Sequence, residues 1–179
     1  LGMLSQISNV SRAVGGCAPN TAIDLIKIDG SMPISAIGCV GDDENGRYLI
    51  SVMQKHGVNV GMVKATDKAT TAFSDVMSLD SGERTFFSYR GANELFSPED
   101  IDLSKLKCRM LHIGYILLLG AFDAYDEEYG TALARFLSKA RERGIKTSID
   151  AVSSNVISDY PKKIIPALKY ADYVIMNEL

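Results

Sequence analysis

From residue 109 onward the chain alternates in kind, and that alternation limits what it can become. Arg109 to Ile116 is a buried apolar run of strand type, and Asp123 to Arg143 carries the longest helical spacing, closed by Gly144. Ile145 to Ala151 is again strand-like. Tyr160 to Tyr170 reads as a helix with Pro161 near its start and a kinking Pro166 inside it, and Asp172 to Met176 returns to strand. Strands separated by helices pair in parallel through right-handed crossovers, which predicts an α/β domain.

The first half begins in the same idiom. Pro19 to Ile28 has apolar residues at helical spacing, with Pro19 suited to a first turn. Ile34 to Val40 is a strand-type run, and Gly41 to Gly46 is a polar turn. Arg47 to His56 is an amphipathic helix stopped by Gly57, and Val58 to Lys64 is another strand. Thr70 to Met77 and Arg84 to Tyr89 then differ: they are β-rich, thin in apolar residues, and separated by Asp80-Ser81-Gly82-Glu83, a hairpin signal for a sheet with one wet face. Residues 1–13 alternate weakly, as an extended strand or arm would. The expected architecture is a doubly wound α/β core, residues 14–60 and 94–179, carrying a small β-sheet lid, residues 1–13 and 61–93.

At 179 residues, with 46% apolar and 23% charged residues, the chain can bury one core. Its net charge of −3 marks no nucleic-acid or anionic-membrane partner. Its longest apolar stretch, Met110 to Phe122, is too short to span a bilayer. The three cysteines, Cys17, Cys39 and Cys108, fit no metal spacing and read as reduced thiols of a cytoplasmic protein. Cys17 reads as a small apolar filler before it reads as a reactive thiol. Two histidines, His56 and His112, have no evident partner, so neither a metal site nor a Ser–His triad is expected.

Five segments carry candidate chemistry. Gly15-Gly16-Cys17-Ala18-Pro19-Asn20 enters a helix: paired glycines let a ligand approach the backbone, the helix start offers free N–H groups, and Asn20 suits vicinal hydroxyls. This is either a polyol or anion site or a plain tight turn; it is neither a G-x-G-x-x-G fingerprint nor a P-loop. The acids of Asp42-Asp43-Glu44 precede a helix and are explained by its dipole, and their spacing is not that of an EF-hand. Ser81 to Arg84, the aromatics Phe86, Phe87 and Tyr89, and then Arg90 and Asn93 form a flap able to close over a polar ligand or, equally, a half-buried sheet face. Asp150 and Asn177-Glu178 lie at strand ends, where open α/β sheets bind ligands.

Taken in order, these segments resemble a known family. Gly-Gly-x-Ala-x-Asn-x-Ala at residues 15–22, with Val40-Gly41-Asp42-Asp43 and Gly46, resembles the N-terminal signature of the PfkB, or ribokinase-like, carbohydrate kinases. Gly82-Glu83-Arg84 and Gly91-Ala92-Asn93 resemble their lid and its return to the core. Ile149-Asp150 and Ala171 to Glu178 resemble later core strands. The spacing from Ala22 to Gly30 and from Gly30 to Gly41 is one residue longer than the usual signature. Two family features are missing from these residues: a first strand with a sugar-binding Asp, and the Gly-Ala-Gly-Asp motif that supplies the base and an anion hole.

The resemblance implies a ribokinase-like fold and transfer of the γ-phosphoryl of ATP, with Mg2+, to a sugar hydroxymethyl group. It places Gly15, Gly16 and Asn20 on the sugar, Arg90 and Asn93 in a lid that excludes water, and Asn177 near the nucleotide phosphates. It puts no catalytic residue and no metal ligand in this chain, which is expected to be the substrate-binding N-terminal part and inactive alone. Exposed lid edges predict a homodimer through the lid. Fructose, ribose, 2-keto-3-deoxygluconate and a nucleoside are all open as substrates. The rival readings are a non-catalytic sugar-binding or regulatory module and a Rossmann-type oxidoreductase, against which the missing glycine fingerprint counts.

Overall fold

The computed structural model describes residues 4, 6–152 and 160–176. The order of elements is α1 (Cys17–Ile28), β1 (Ser35–Gly41), α2 (Glu44–Lys55), β2 (Asn59–Thr66), β3 (Phe73–Ser78), β4 (Arg84–Tyr89) and β5 (Met110–Ile116). There follow β6 (Tyr125–Asp126), β7 (Gly130–Thr131), α3 (Ala132–Glu142), β8 (Lys146–Ala151), α4 (Ile165–Leu168) and β9 (Tyr173–Ile175). β1 and β2 pair in parallel, and β5, β8 and β9 form a parallel sheet in that order. The expected α/β class with parallel sheets is therefore present, and α1 lies against both β1 and β5.

The core over the three-stranded sheet is built by α3. Its buried Leu133, Phe136 and Leu137 meet Ile113 and Ile116 of β5 and Ile149 of β8. Phe122 is wedged between Phe96 and Phe136, with ring centroids 5.5 Å and 5.7 Å away, an aromatic geometry that adds to area burial. A smaller cluster, Ala22, Ala36, Met53 and Val58, joins α1, β1 and α2.

β3 and β4 form an antiparallel hairpin in continuous register from Phe73↔Tyr89 to Ser78↔Arg84. Its reversal uses Gly82 at φ 88°, a conformation that favours glycine. Every residue of both strands is exposed.

Three expectations need correction. The helix expected over residues 123–143 is α3 alone, residues 132–142. Upstream, the Asp126 carboxylate accepts N–H bonds from Glu128 and Tyr129, an alternative to helix that Asp offers its own backbone. Gly130 then turns at φ 85°, closing the small β6–β7 hairpin, and the Thr131 hydroxyl caps α3 by accepting from Ala134 N–H. The expected helix over 160–170 is one wide turn at Tyr160–Ile164 followed by the short α4, which begins where Pro166 can sit in a first turn. Among the described residues of the N-terminal arm, 4 and 6–13, no strand forms.

α2 starts earlier than the apolar pattern suggests because Asp43 caps it, accepting from Gly46 N–H at 2.8 Å. The same carboxylate accepts from Thr71 N–H and Thr71 O–H, each at 2.7 Å, while Thr71 Oγ1 accepts from Gly41 N–H at 2.9 Å. Thr71 is 3% exposed. One buried hydroxyl thus ties the end of β1, the start of α2 and the root of the hairpin. A Cβ on Gly41 would lie 2.5 Å from Thr71 N, so that signature glycine is required by close approach.

Candidate functional site

The C-terminal ends of β5 and β8 and the N-terminus of α1 meet. This is the edge at which open parallel sheets bind ligands. Gly16 holds φ 94° just before α1, and no side chain caps the helix there. Its first N–H groups are therefore available to a ligand or to water. A Cβ on Gly15 would meet nothing within 4 Å, so the approach over this turn is open. Asn20 lies one turn in, its N–H bonded to Gly16 O at 3.2 Å and its side chain exposed. Gly15, Gly16 and Asn20 are thus brought together.

Beneath them lies a cluster that the sequence did not announce. Cys17 Sγ is 3.4 Å from His112 Nε2 on β5, and its S–H donates to Asp150 Oδ2 on β8 at 3.3 Å. Thr21 Oγ1 is 3.8 Å from the same sulfur. The far side of each partner is held: His112 Nδ1 is 3.1 Å from Ser148 Oγ, and Asp150 Oδ1 accepts from Tyr115 N–H at 2.7 Å. Tyr115 reaches this position at φ 60° and Leu117 follows at φ 83°, where β5 loses register with β8 between Ile113 and Ile116. Such backbone costs about 1–3 kcal/mol per residue and is held only where the surroundings dictate it.

Burial pushes the Cys17 thiol up to about 11; the Thr21 bond opposes this and the Asp150 carboxylate adds to it. At neutral pH it is a protonated thiol, neither an apolar filler nor an activated nucleophile. Burial likewise raises the Tyr115 phenol, with Cys17 and Asp150 adding to the effect. The sequence carries only a partial trace of this cluster, a His inside the apolar run of β5 and the alternating Ser148 and Asp150 of β8, which register then joins. His112 is the register partner of Ser148, and Asp150 stands two residues beyond Ser148 on the same face. Polar residues repeating on one face of two buried strands is a pattern with a purpose.

Arg90 and Asn93 form a separate group at the foot of the hairpin, where Asn93 N–H bonds Arg90 O at 3.0 Å. Both are exposed. Between them Gly91 turns at φ 47°, and Ala92 N–H bonds Thr70 O at 2.9 Å, so the two feet of the hairpin are pinned together. The Arg90 charge acts favourably on the carboxylate of Asp123. Among the described residues no hydrogen bond joins this group to Gly15, Gly16 or Asn20. Asn177 lies outside the described residues. No helix among the described residues is long and apolar enough to cross a membrane.

Known proteins resemble this chain in sequence and in fold. Fructokinase-1 of Zea mays is 32% identical over 150 residues, 82% of this chain and 44% of that protein. Probable fructokinase-5 of Arabidopsis thaliana is 30% identical over 150 residues, 82% of this chain and 44% of its own length. The chain therefore spans less than half the length of these curated relatives. Among solved structures, a ribokinase from Giardia lamblia covers 100% of this chain with 51% of its own, at TM-score 0.78 and 18% identity. A fructokinase from Xylella fastidiosa with bound ATP covers 89% of this chain with 50% of its own, at TM-score 0.70 and 22% identity. These two likenesses establish the ribokinase-like fold. A family model, pfkB family carbohydrate kinase, matches residues 1–179. Motifs, fold and family match agree: this chain belongs to the pfkB family of carbohydrate kinases.

Proposed function

We propose that the protein phosphorylates a hydroxymethyl group of a sugar, fructose before ribose or a nucleoside, and that this chain holds the sugar. The observation that carries the reading is the uncapped α1 N-terminus at Gly16, with Asn20 one turn in, set against His112 of β5 and Asp150 near the end of β8. N–H donors, an amide and a half-buried carboxylate match the mixed donor and acceptor character of vicinal hydroxyls. The curated relatives' printed names support fructose.

The same place does not suit a triphosphate: the side chains there are a thiol, an imidazole, an amide and a carboxylate, and among the described residues no ammonium or guanidinium is hydrogen-bonded to them. ATP, with Mg2+, would supply the phosphoryl group from elsewhere in the protein, Asn177 being the residue of this sequence assigned near it. What this chain contributes is positioning, which holds the acceptor hydroxyl still and lowers the entropic part of the barrier. The hairpin of β3 and β4 serves as the lid, the lid unit being residues 61–93 with the arm 1–13. Arg90 and Asn93 at its foot meet the sugar on closure and keep water from the reaction.

The lid also serves a homodimer in this reading. Phe73, Val76, Met77, Phe86, Phe87 and Tyr89 are large, apolar and exposed on the hairpin, and a second copy would cover them. The protein is assigned to the cytoplasm. The 179-residue chain by itself contains no Gly-Ala-Gly-Asp run and is proposed to lack turnover.

A thermal-shift screen of the whole gene product against fructose, ribose, 2-keto-3-deoxygluconate and nucleosides, followed by coupled detection of ADP, tests the proposal. A selective shift and sugar-dependent ADP release are expected. A folded protein that neither shifts nor turns over with any of these sugars defeats it.

A further inference from the structure

We infer that Cys17, His112 and Asp150 form a binding site for a thiophilic divalent cation of the Zn2+ class. Sulfur, imidazole nitrogen and one carboxylate oxygen lie within 4.8 Å of one another, on three half-buried residues from α1, β5 and β8. Zn2+ binds thiolate at about 2.3 Å and imidazole nitrogen or carboxylate oxygen at about 2.0–2.2 Å. Tetrahedral angles between such bonds put sulfur about 3.5 Å from each of the other ligands. The observed separations from sulfur are 3.4 Å to His112 Nε2 and 3.3 Å to Asp150 Oδ2, close to that spacing, and all three ligand atoms lie within 4.8 Å of one another.

The outer arrangement is that of a metal site as well. A metal-bound imidazole is oriented by a partner on its other nitrogen, and His112 has Ser148 Oγ there, on a residue 4% exposed. Asp150 keeps one oxygen on Tyr115 N–H and turns the other toward the sulfur. On binding, the Zn–S bond forms as the thiol proton leaves for solvent, the S–H hydrogen bond to Asp150 is lost, and the imidazole nitrogen and carboxylate oxygen displace waters from the hydrated ion. Three protein ligands leave a fourth position for water. The ion would tie the first turn of α1 to β5 and to the end of β8, next to the Gly15-Gly16 turn. None of this depends on the sugar-kinase reading.

The test uses the protein with Cys39→Ser and Cys108→Ser, so that Cys17 is the remaining thiol of these 179 residues, stripped with chelator and titrated with Co2+. A thiolate-to-cobalt charge-transfer band saturating at one equivalent, and bleached by one equivalent of Zn2+, is expected. His112→Gln and Asp150→Asn are each expected to weaken Co2+ at least tenfold, and Ser148→Ala about 10–100-fold by freeing the imidazole. Should the ligand variants unfold, alkylation of Cys17 in the parent protein decides: Zn2+ is expected to slow it at least tenfold. No band from the folded protein, a band unchanged in His112→Gln and Asp150→Asn, or alkylation indifferent to Zn2+ overturns the proposal.

Discussion

The Cys17 side chain occupies the volume that a Cβ on Gly114 would need. An ideal Cβ at position 114 falls 2.5 Å from Cys17 Cβ and closer still to its sulfur. α1 therefore approaches β5 as nearly as it does because position 114 has no side chain. Gly114→Ala is expected to destabilise the fold by about 1–3 kcal/mol, as overpacking does where a backbone must yield. Cys17→Ala does not relieve it, since the Cβ of residue 17 is itself in the way. Chemical denaturation of both single variants and the double variant checks this, and a Gly114→Ala protein as stable as its parent would contradict the packing.

How much of this could be read in advance differs by element. β5 and β8 are legible because apolar residues crowd Arg109 to Ile116 and Ile145 to Ala151, and their parallel pairing follows from the helix between them. The extent of that helix was not legible: residues 123–131 carry enough helical spacing to extend α3 backward, and only the Asp126 side chain, bonding its own chain, shows why they do not. The Gly15-Gly16-Asn20 turn was legible as a motif. Its floor was not, because Cys17, His112 and Asp150 lie far apart in sequence, and only strand register brings them together.

Asp43 is the acid whose removal should cost most. Burial alone would raise its pKa, but the Thr71 hydroxyl and N–H, the Gly46 N–H and the Arg47 charge overrule that and hold it below the ordinary carboxylate range. Asp43→Ala loses a helix cap and strands the Thr71 donors, for about 2–3 kcal/mol. A carboxyl with a depressed folded pKa contributes stability above its unfolded value and loses it as pH falls through the folded one. The gap between parent and Asp43→Asn is thus expected at neutral pH and should shrink below about pH 4. Urea midpoints at a series of pH values measure it, and a gap that widens on acidification contradicts the sign.

At the helix start, Asn20→Ala and Gly16→Ala separate two contributions. Removing one neutral hydrogen-bonding group from a polyol site costs about 0.5–1.5 kcal/mol, so Asn20→Ala in the whole protein should raise the sugar KM about 2- to 12-fold with little change in melting temperature. Gly16→Ala meets a different obstacle: φ 94° strains any L side chain, so stability and sugar affinity should fall together. An Asn20→Ala enzyme with an unchanged KM for every sugar removes Asn20 from the site.

Asp123 tests the opposite sign. It is half-buried beside the strained end of β5, where its Oδ1 accepts from Leu117 N–H at 3.3 Å. Burial pushes its pKa above the ordinary carboxylate value; the bonds from Leu117 and Leu119 N–H and the charges of Lys163 and Arg90 oppose this without cancelling it. A raised folded pKa means that the folded state holds this proton more tightly than the unfolded chain does. The contribution is fully present below the unfolded value and is lost as pH rises through the folded one. Asp123→Asn keeps a carbonyl for the N–H donors and never ionises. It should match the parent near pH 4 and melt about 1–3 °C higher by pH 7.5, the scale that several tenths of a kcal/mol gives in a chain of this size. Melting curves of both proteins across that range supply the measurement. If the parent gains on Asp123→Asn as pH rises, Arg90 and Lys163 outweigh the cost of burying the charge, and the foot of the hairpin is held to β5 by an ion pair.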